Sequence, residues 1–111
     1  MTDKVNVESF LAHLENERRL SKHTVAAYQR DLTKLINFVQ GVKKNLLNLH
    51  PAQARSFPAQ LHRSGLASSS IQRTLSAARS LYRYLEREKL VGRNPFVGIS
   101  APRGHRKLPQ P

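Results

Sequence analysis

Apolar residues recur along most of this chain with the 3.6-residue period of α-helices, and no stretch shows the strict alternation of a half-buried strand. Val7, Phe10, Leu11 and Leu14 fall at i, i+3, i+4 and i+7, which predicts a first helix over about 5–18. The run Leu20-Ser21-Lys22-His23-Thr24 then predicts a stop and a restart, with Ser21 as the N-cap of a second helix. That helix reaches about Gln40, carries Val25, Tyr28, Leu32, Leu35, Ile36 and Val39 on its apolar face, and ends at Gly41 as a left-handed cap. Residues 42–50 read as a loop. Pro51 suits the first position of a third helix over about 51–63, with Ala54, Phe57 and Leu61 facing inward. Pro58 lies inside it and should kink it or distort its first turn, and Ser64-Gly65 closes it. Ser68, Ser69 and Ser70 supply N-cap oxygens for a fourth helix over about 69–88, whose buried face is Ile71, Leu75, Ala78, Leu81, Tyr82 and Leu85. Gly92 and Asn94-Pro95 end the helical region. The remainder, 98–111, has three prolines and the basic residues Arg103, His105, Arg106 and Lys107 without apolar periodicity, and reads as an extended linker. The fold class is therefore all-α, with about four helices over 1–97 and a linker over 98–111.

Charge changes the picture. The 111 residues carry 19 Lys plus Arg against 7 Asp plus Glu, a formal net charge of +12. The acids are Asp3, Glu8, Glu15, Glu17, Asp31, Glu86 and Glu88, so 32–85 contains none, although it holds Lys34, Lys43, Lys44, Arg55, Arg63, Arg73, Arg79 and Arg83. A folded domain with a long acid-free basic stretch points to a polyanion, nucleic acid first. A membrane surface fits less well, because no helix pairs a Lys-rich face with a Trp- and Phe-rich one.

Advancing about 100° per residue sorts the fourth helix into two arcs. Opposite its apolar residues lie Arg73, Ser76, Arg79, Ser80, Arg83 and Arg87. The second helix divides likewise, with His23, Ala27, Arg30 and Lys34 away from its apolar face. Small residues beside basic ones let a helix backbone approach a groove, and the major groove is wide enough to admit one. A helix face exposed only to water normally mixes charge signs so that i,i+4 pairs form; the fourth helix has no acid before Glu86.

Other chemistry is excluded or unsupported. Cysteine is absent, which rules out disulfides, zinc–thiolate sites, Fe–S clusters and thiol nucleophiles, and fits a reducing, cytoplasmic setting. His13, His23, His50, His62 and His105 show no metal-ligand spacing. No Gly-rich phosphate loop occurs, no carboxylate pair stands out, and none of the three tyrosines has activating groups beside it in sequence. No catalytic site, no metal site and no cofactor site is expected. No apolar run approaches the length of a membrane span.

Phe10-Leu11 followed by Glu17-Arg18-Arg19-Leu20-Ser21, then Thr24, Tyr28, Asp31 and Leu32, then Gly65 with Ile71, Leu75, Ser76, Ala77, Arg79, Tyr82 and Leu85 form an ordered series. With Asn94-Pro95, Ser100-Ala101-Pro102-Arg103 and Leu108-Pro109 it resembles the N-terminal core-binding domain of Xer-type tyrosine recombinases over essentially the whole chain. The stretch Gly98-Ile99-Ser100-Ala101-Pro102 is most similar to the XerC branch of that family. The resemblance implies an orthogonal, SAM-like bundle of about four helices whose second and fourth helices face the major groove. It implies DNA contacts by His23, Thr24, Ala27 and Arg30 on the second helix and by Ser69, Ser70, Arg73, Thr74 and Ala77 on the fourth. Lys22, Lys34, Arg79 and Arg83 join them from the helical wheels as phosphate contacts, with Arg73 expected to read a base edge and Arg83 a phosphate. It also implies a catalytic domain after Pro111, holding the tyrosine nucleophile and working through a phosphotyrosyl intermediate without metal or nucleotide. The full protein would resolve chromosome or plasmid dimers at cell division with a XerD-like partner in a heterotetramer.

Two other classes of function compete. A free-standing helix-turn-helix regulator would want a turn of about 3–4 residues between support and recognition helices, where this chain has the long gap 41–50 and a proline-rich tail. A basic module for RNA or an acidic protein is the other; A-form RNA hides its major groove, which favours DNA for a helix-in-groove mode.

Overall fold

The structure, a computed structural model, describes residues 2–101, and all its regular elements are helical. They are α1 (Thr2–Asn16), α2 (Lys22–Gly41), a 3₁₀ turn (Leu46–Asn48), α3 (Pro51–Ala54), α4 (Phe57–Arg63) and α5 (Ser68–Arg87). α2 and α5 pack along one another, α1 lies against both, and α4 covers α5.

Local chemistry sets each boundary. Ser21 caps α2 as its sequence predicts: its hydroxyl oxygen accepts from the Thr24 amide at 3.1 Å. The far end of α2 differs from expectation. Gly41 is still helical, and the left-handed residue is Lys43, with φ 62°. Its amide and that of Lys44 return to the carbonyls of Gln40 and Val39, so a lysine occupies the position a glycine would ordinarily take. The loop over 42–50 contains the 3₁₀ turn, where the side chains and amides of Asn45 and Asn48 cap one another. His50 caps α3 through Nδ1, which accepts from the Ala52 amide at 3.1 Å.

The third helix is two helices. The chain breaks after Ala54 and restarts at Phe57, with Pro58 in the first turn of α4. A proline cannot donate, and its ring collides with the carbonyl four residues back, here that of Ala54. Gly65, with φ 97°, closes α4: its amide bonds the His62 carbonyl, and Leu66 reaches back to Leu61. The three serines ahead of the last helix do not cap it. Ala67 holds the N-cap position without a side-chain cap bond, and Ser68, Ser69 and Ser70 form the first turn of α5.

The core joins all these elements. Leu14, Leu32, Leu35, Val39, Ile71, Leu75, Ala78, Leu81, Tyr82 and Leu85 are fully enclosed, as the apolar periodicity predicts. Phe96 is also fully enclosed, although it follows the helical region. Its ring meets Phe57 at 5.9 Å and Tyr82 at 5.7 Å, and Phe57 continues the series to Phe38 at 4.6 Å. Asn94 fixes this segment to α5. Its Oδ1 accepts from the Phe96 amide and its Nδ2 donates to the Arg79 carbonyl. Arg79 in turn donates from Nη1 to the Ile99 carbonyl at 2.7 Å. The expected linker thus begins with residues held against the helices, while its part over 102–111, including Arg103, His105, Arg106 and Lys107, lies outside the described residues.

Leu46 anchors the 3₁₀ turn to α1 and α5. Its amide donates to Asp3 Oδ1 on α1, and its carbonyl accepts from the Tyr82 hydroxyl of α5 at 2.6 Å. Burial, with the Asp3 carboxylate nearby, pushes the Tyr82 phenol well above the usual tyrosine range. A raised folded value means that this stability is complete below the unfolded value of about 10 and declines as pH rises beyond it. Tyr82→Phe should be about 1 kcal/mol less stable than the parent at pH 8, through the lost hydrogen bond. Above about pH 10 that deficit should shrink by up to roughly 1.4 kcal/mol per pH unit and then invert. Urea titrations of both proteins at pH 8, 10 and 11 measure this; a deficit that stays constant would contradict the buried, neutral phenol.

Candidate nucleic-acid interface

The packing of α2 on α5 brings the basic faces of these two helices together. Asp31 is the only acid between Glu17 and Glu86. Its side chain is just 2% exposed. It accepts from Arg73 Nε at 3.0 Å and Nη2 at 3.1 Å, and from the Thr74 hydroxyl at 3.2 Å. Lys34 Nζ stands 3.6 Å away on the same helix. These are the only ion pairs among the described residues. The carboxylate is thus spent inside the α2–α5 junction, and the outer face around it presents cations and hydroxyls with no acid of its own.

The expected contact residues divide into three groups. Lys22, His23, Thr24 and Arg30 of α2 are exposed, Ala27 and Lys34 are half-buried beside them, and Ser69, Arg73 and Arg83 of α5 are exposed with Ser70 and Arg79 partly so. The structure withdraws Thr74 and Ala77. Thr74 is fully buried with its hydroxyl on Asp31, and Ala77 is 3% exposed. The Thr74 hydroxyl is turned to Asp31 of α2, and as placed neither residue offers surface to a partner. Three arginines are accessible but engaged. Arg73 is 55% exposed yet locked in the bidentate pair with Asp31, which holds its guanidinium pKa above the ordinary value. Arg79 holds the Ile99 carbonyl, and Arg83 donates to the Ser80 hydroxyl at 3.1 Å. A guanidinium has five N–H donors, so each keeps free donors for an anion.

Sequence reasoning missed the role of Asp31, which the helical period places between the apolar and polar arcs of α2. Its partner on α5 comes from tertiary packing and leaves no local signal. It also missed the α1–α5 corner. There Tyr84 shares a 2.7 Å hydrogen bond with Ser9 Oγ, and Arg87 Nη2 lies 3.1 Å from His13 Nε2. No cluster of potential metal ligands occurs among the described residues, and no helix among them is long and apolar enough to cross a membrane.

Comparison with known proteins identifies the family of this fold. Residues 7–89 match the family described as the phage integrase N-terminal SAM-like domain. The chain is similar to the tyrosine recombinase XerC of Pseudomonas putida strain W619, at 46% identity over 106 residues, covering 94% of this chain and 35% of the relative. It is similar to tyrosine recombinase XerC of Pseudomonas savastanoi pv. phaseolicola at 40% identity over 106 residues, covering 95% of this chain and 36% of the relative. The chain therefore spans about a third of the length of the curated relatives it matches. No solved structure matches. The helical architecture, the ordered sequence motifs and the match over 7–89 together place this chain in the phage integrase N-terminal SAM-like domain family.

Proposed function

We propose that this chain is the DNA-binding arm of a site-specific tyrosine recombinase, gripping a recombination half-site through the exposed faces of α2 and α5. The observation that carries this reading is the fate of Asp31: with the one acid between Glu17 and Glu86 internalised, the joint α2–α5 face is cationic and carries no exposed carboxylate until Glu86 near the end of α5. Lys22, His23, Thr24, Ala27, Arg30 and Lys34 on α2 and Ser69, Ser70, Arg73, Arg79 and Arg83 on α5 would make the contacts. Arg73, held rigid by Asp31, is suited to a base edge, and Arg83 to a phosphate. The whole recombinase would cut and rejoin DNA with residues outside this chain and, with a XerD-like partner in a heterotetramer, resolve chromosome or plasmid dimers in the cytoplasm at cell division. The relatives named tyrosine recombinase XerC support that reading.

Titration of a labelled duplex over a salt series tests it. Neutralising roughly six phosphates gives a log–log slope of about −5, with duplex DNA bound more tightly than duplex RNA of equal length. A flat salt response, or a preference for RNA, would overturn the proposal.

A further inference from the structure

Beyond the groove-facing surface, the C-terminal end of α5 meets the end of α1 around a hollow of about 390 Å³. Arg18, Arg83 and Arg87 line it together with His13, Ser80 and Tyr84, and no carboxylate does. Glu17 and Glu88 border the neighbouring hollow instead, and no ion pair joins either to an arginine. Three guanidiniums therefore surround one concave space that no carboxylate lines, although Arg87 also borders the adjoining hollow with Glu17 and Glu88.

One of them is fixed in advance. The Arg87 guanidinium lies over the Tyr84 ring, 5.8 Å from its centroid, and its Nη2 is 3.1 Å from His13 Nε2. Because a guanidinium only donates, that contact makes His13 Nε2 the acceptor and puts the ring proton on Nδ1. The His13 ring rests 5.2 Å from Tyr84, and the Tyr84 hydroxyl is tied to Ser9. Arg83 is steadied by Ser80, while no side-chain partner holds Arg18. Two positioned forks and one adaptable one suit a tetrahedral dianionic or monoanionic oxygen group, which takes bidentate N–H donors.

Helix length indicates which one. The 20 residues of α5 extend about 30 Å, whereas the major groove is about 12 Å wide. If the N-terminal half of α5 occupies the groove, its last turns pass beyond the groove edge to the flanking sugar–phosphate strand. Arg87 lies 14 positions after Arg73 on the same exposed stripe, about 21 Å along the axis.

We propose that this hollow is a seat for one backbone phosphodiester of duplex DNA outside the groove that α2 and α5 face, with Arg18, Arg83 and Arg87 as its donors and His13 and Tyr84 as positioning residues. The inference rests on the proposed DNA-binding function. It is tested by anisotropy titration of a 20-base-pair duplex with the full chain, comparing Arg18→Gln, Arg87→Gln and the double variant. Their melting midpoints are measured alongside. Because the residues share one phosphate, the double variant should bind about tenfold more weakly. Its salt slope should be shallower by about 0.9. Each single change should already produce most of that loss, the non-additive pattern of groups sharing one partner. A double Arg55→Gln/Arg63→Gln control removes the same charge from the α3–α4 side and should leave the slope unchanged. Wild-type affinity and slope in Arg18→Gln/Arg87→Gln, or an equal loss in the control, would overturn the phosphate seat while leaving the DNA-binding role intact. No salt-dependent duplex binding by the parent chain would overturn both.

Discussion

Replacing Phe96 with alanine should come close to unfolding this domain. The ring is completely enclosed between Phe57 and Tyr82, and truncating a buried phenylalanine costs about 3–5 kcal/mol. A domain of this size has only about 5–15 kcal/mol in total. The melting midpoint should fall by roughly 12–20 °C. The neighbouring Val97 is 71% exposed, so Val97→Ala should change stability by less than about 0.5 kcal/mol. Thermal unfolding of the two variants distinguishes them. A Phe96→Ala protein within about 1 kcal/mol of the parent would mean that the segment after α5 is not part of the core. The consequence extends to function, since the same segment, through Asn94 and the Ile99 carbonyl, holds α5 near Arg79.

The second large effect belongs to the Asp31–Arg73 pair, and its two halves are unequal. Arg73→Met leaves a carboxylate that is 2% exposed with only the Thr74 hydroxyl and Lys34 for company. Breaking two charge-assisted hydrogen bonds to a buried ion should cost about 2–4 kcal/mol. Asp31→Asn should cost less, about 1–2 kcal/mol. The amide oxygen can still accept from Thr74, and Arg73, already 55% exposed, returns to water. The double variant should be more stable than the sum of the singles predicts by about 1–3 kcal/mol, as expected for groups in direct contact. Urea denaturation of the four proteins in the cycle measures this. Additive losses would show that the pair does not hold α2 against α5.

Much of this architecture is legible before any coordinates. Ser21 announces α2 because a hydroxyl ahead of a helical run has a specific use there, and the Ile71-to-Leu85 series fixes α5 because its period leaves no alternative. Pro58 announces a disturbance in the third helix, and the break falls at the carbonyl its ring would strike. What stays hidden depends on contacts between distant residues. Phe96 has no periodic neighbours, so nothing local marks it as core. On α5, Ala77 lies at the border of the apolar arc, whereas Thr74 falls inside it with Ala78, Leu81 and Leu85; what the period does not show is the close approach of α2 that gives Thr74 its partner, Asp31. The same approach buries Asp31, which in the sequence is merely one acid near a basic stretch. Lys43 in place of Gly41 shows that a chain reversal can tolerate a side chain where the helix end and its hydrogen bonds require a left-handed residue.

In the proposed complex the face built by α2 and α5 lies against duplex DNA. An amide NMR titration of the chain with a short duplex tests it most directly, because it reports position and binding together. Shifts should be concentrated at 22–34 and along the exposed stripe of 69–87, with α3 and α4 over 51–63 undisturbed. Shifts centred on 51–63, or a spectrum unchanged by saturating duplex, would contradict it.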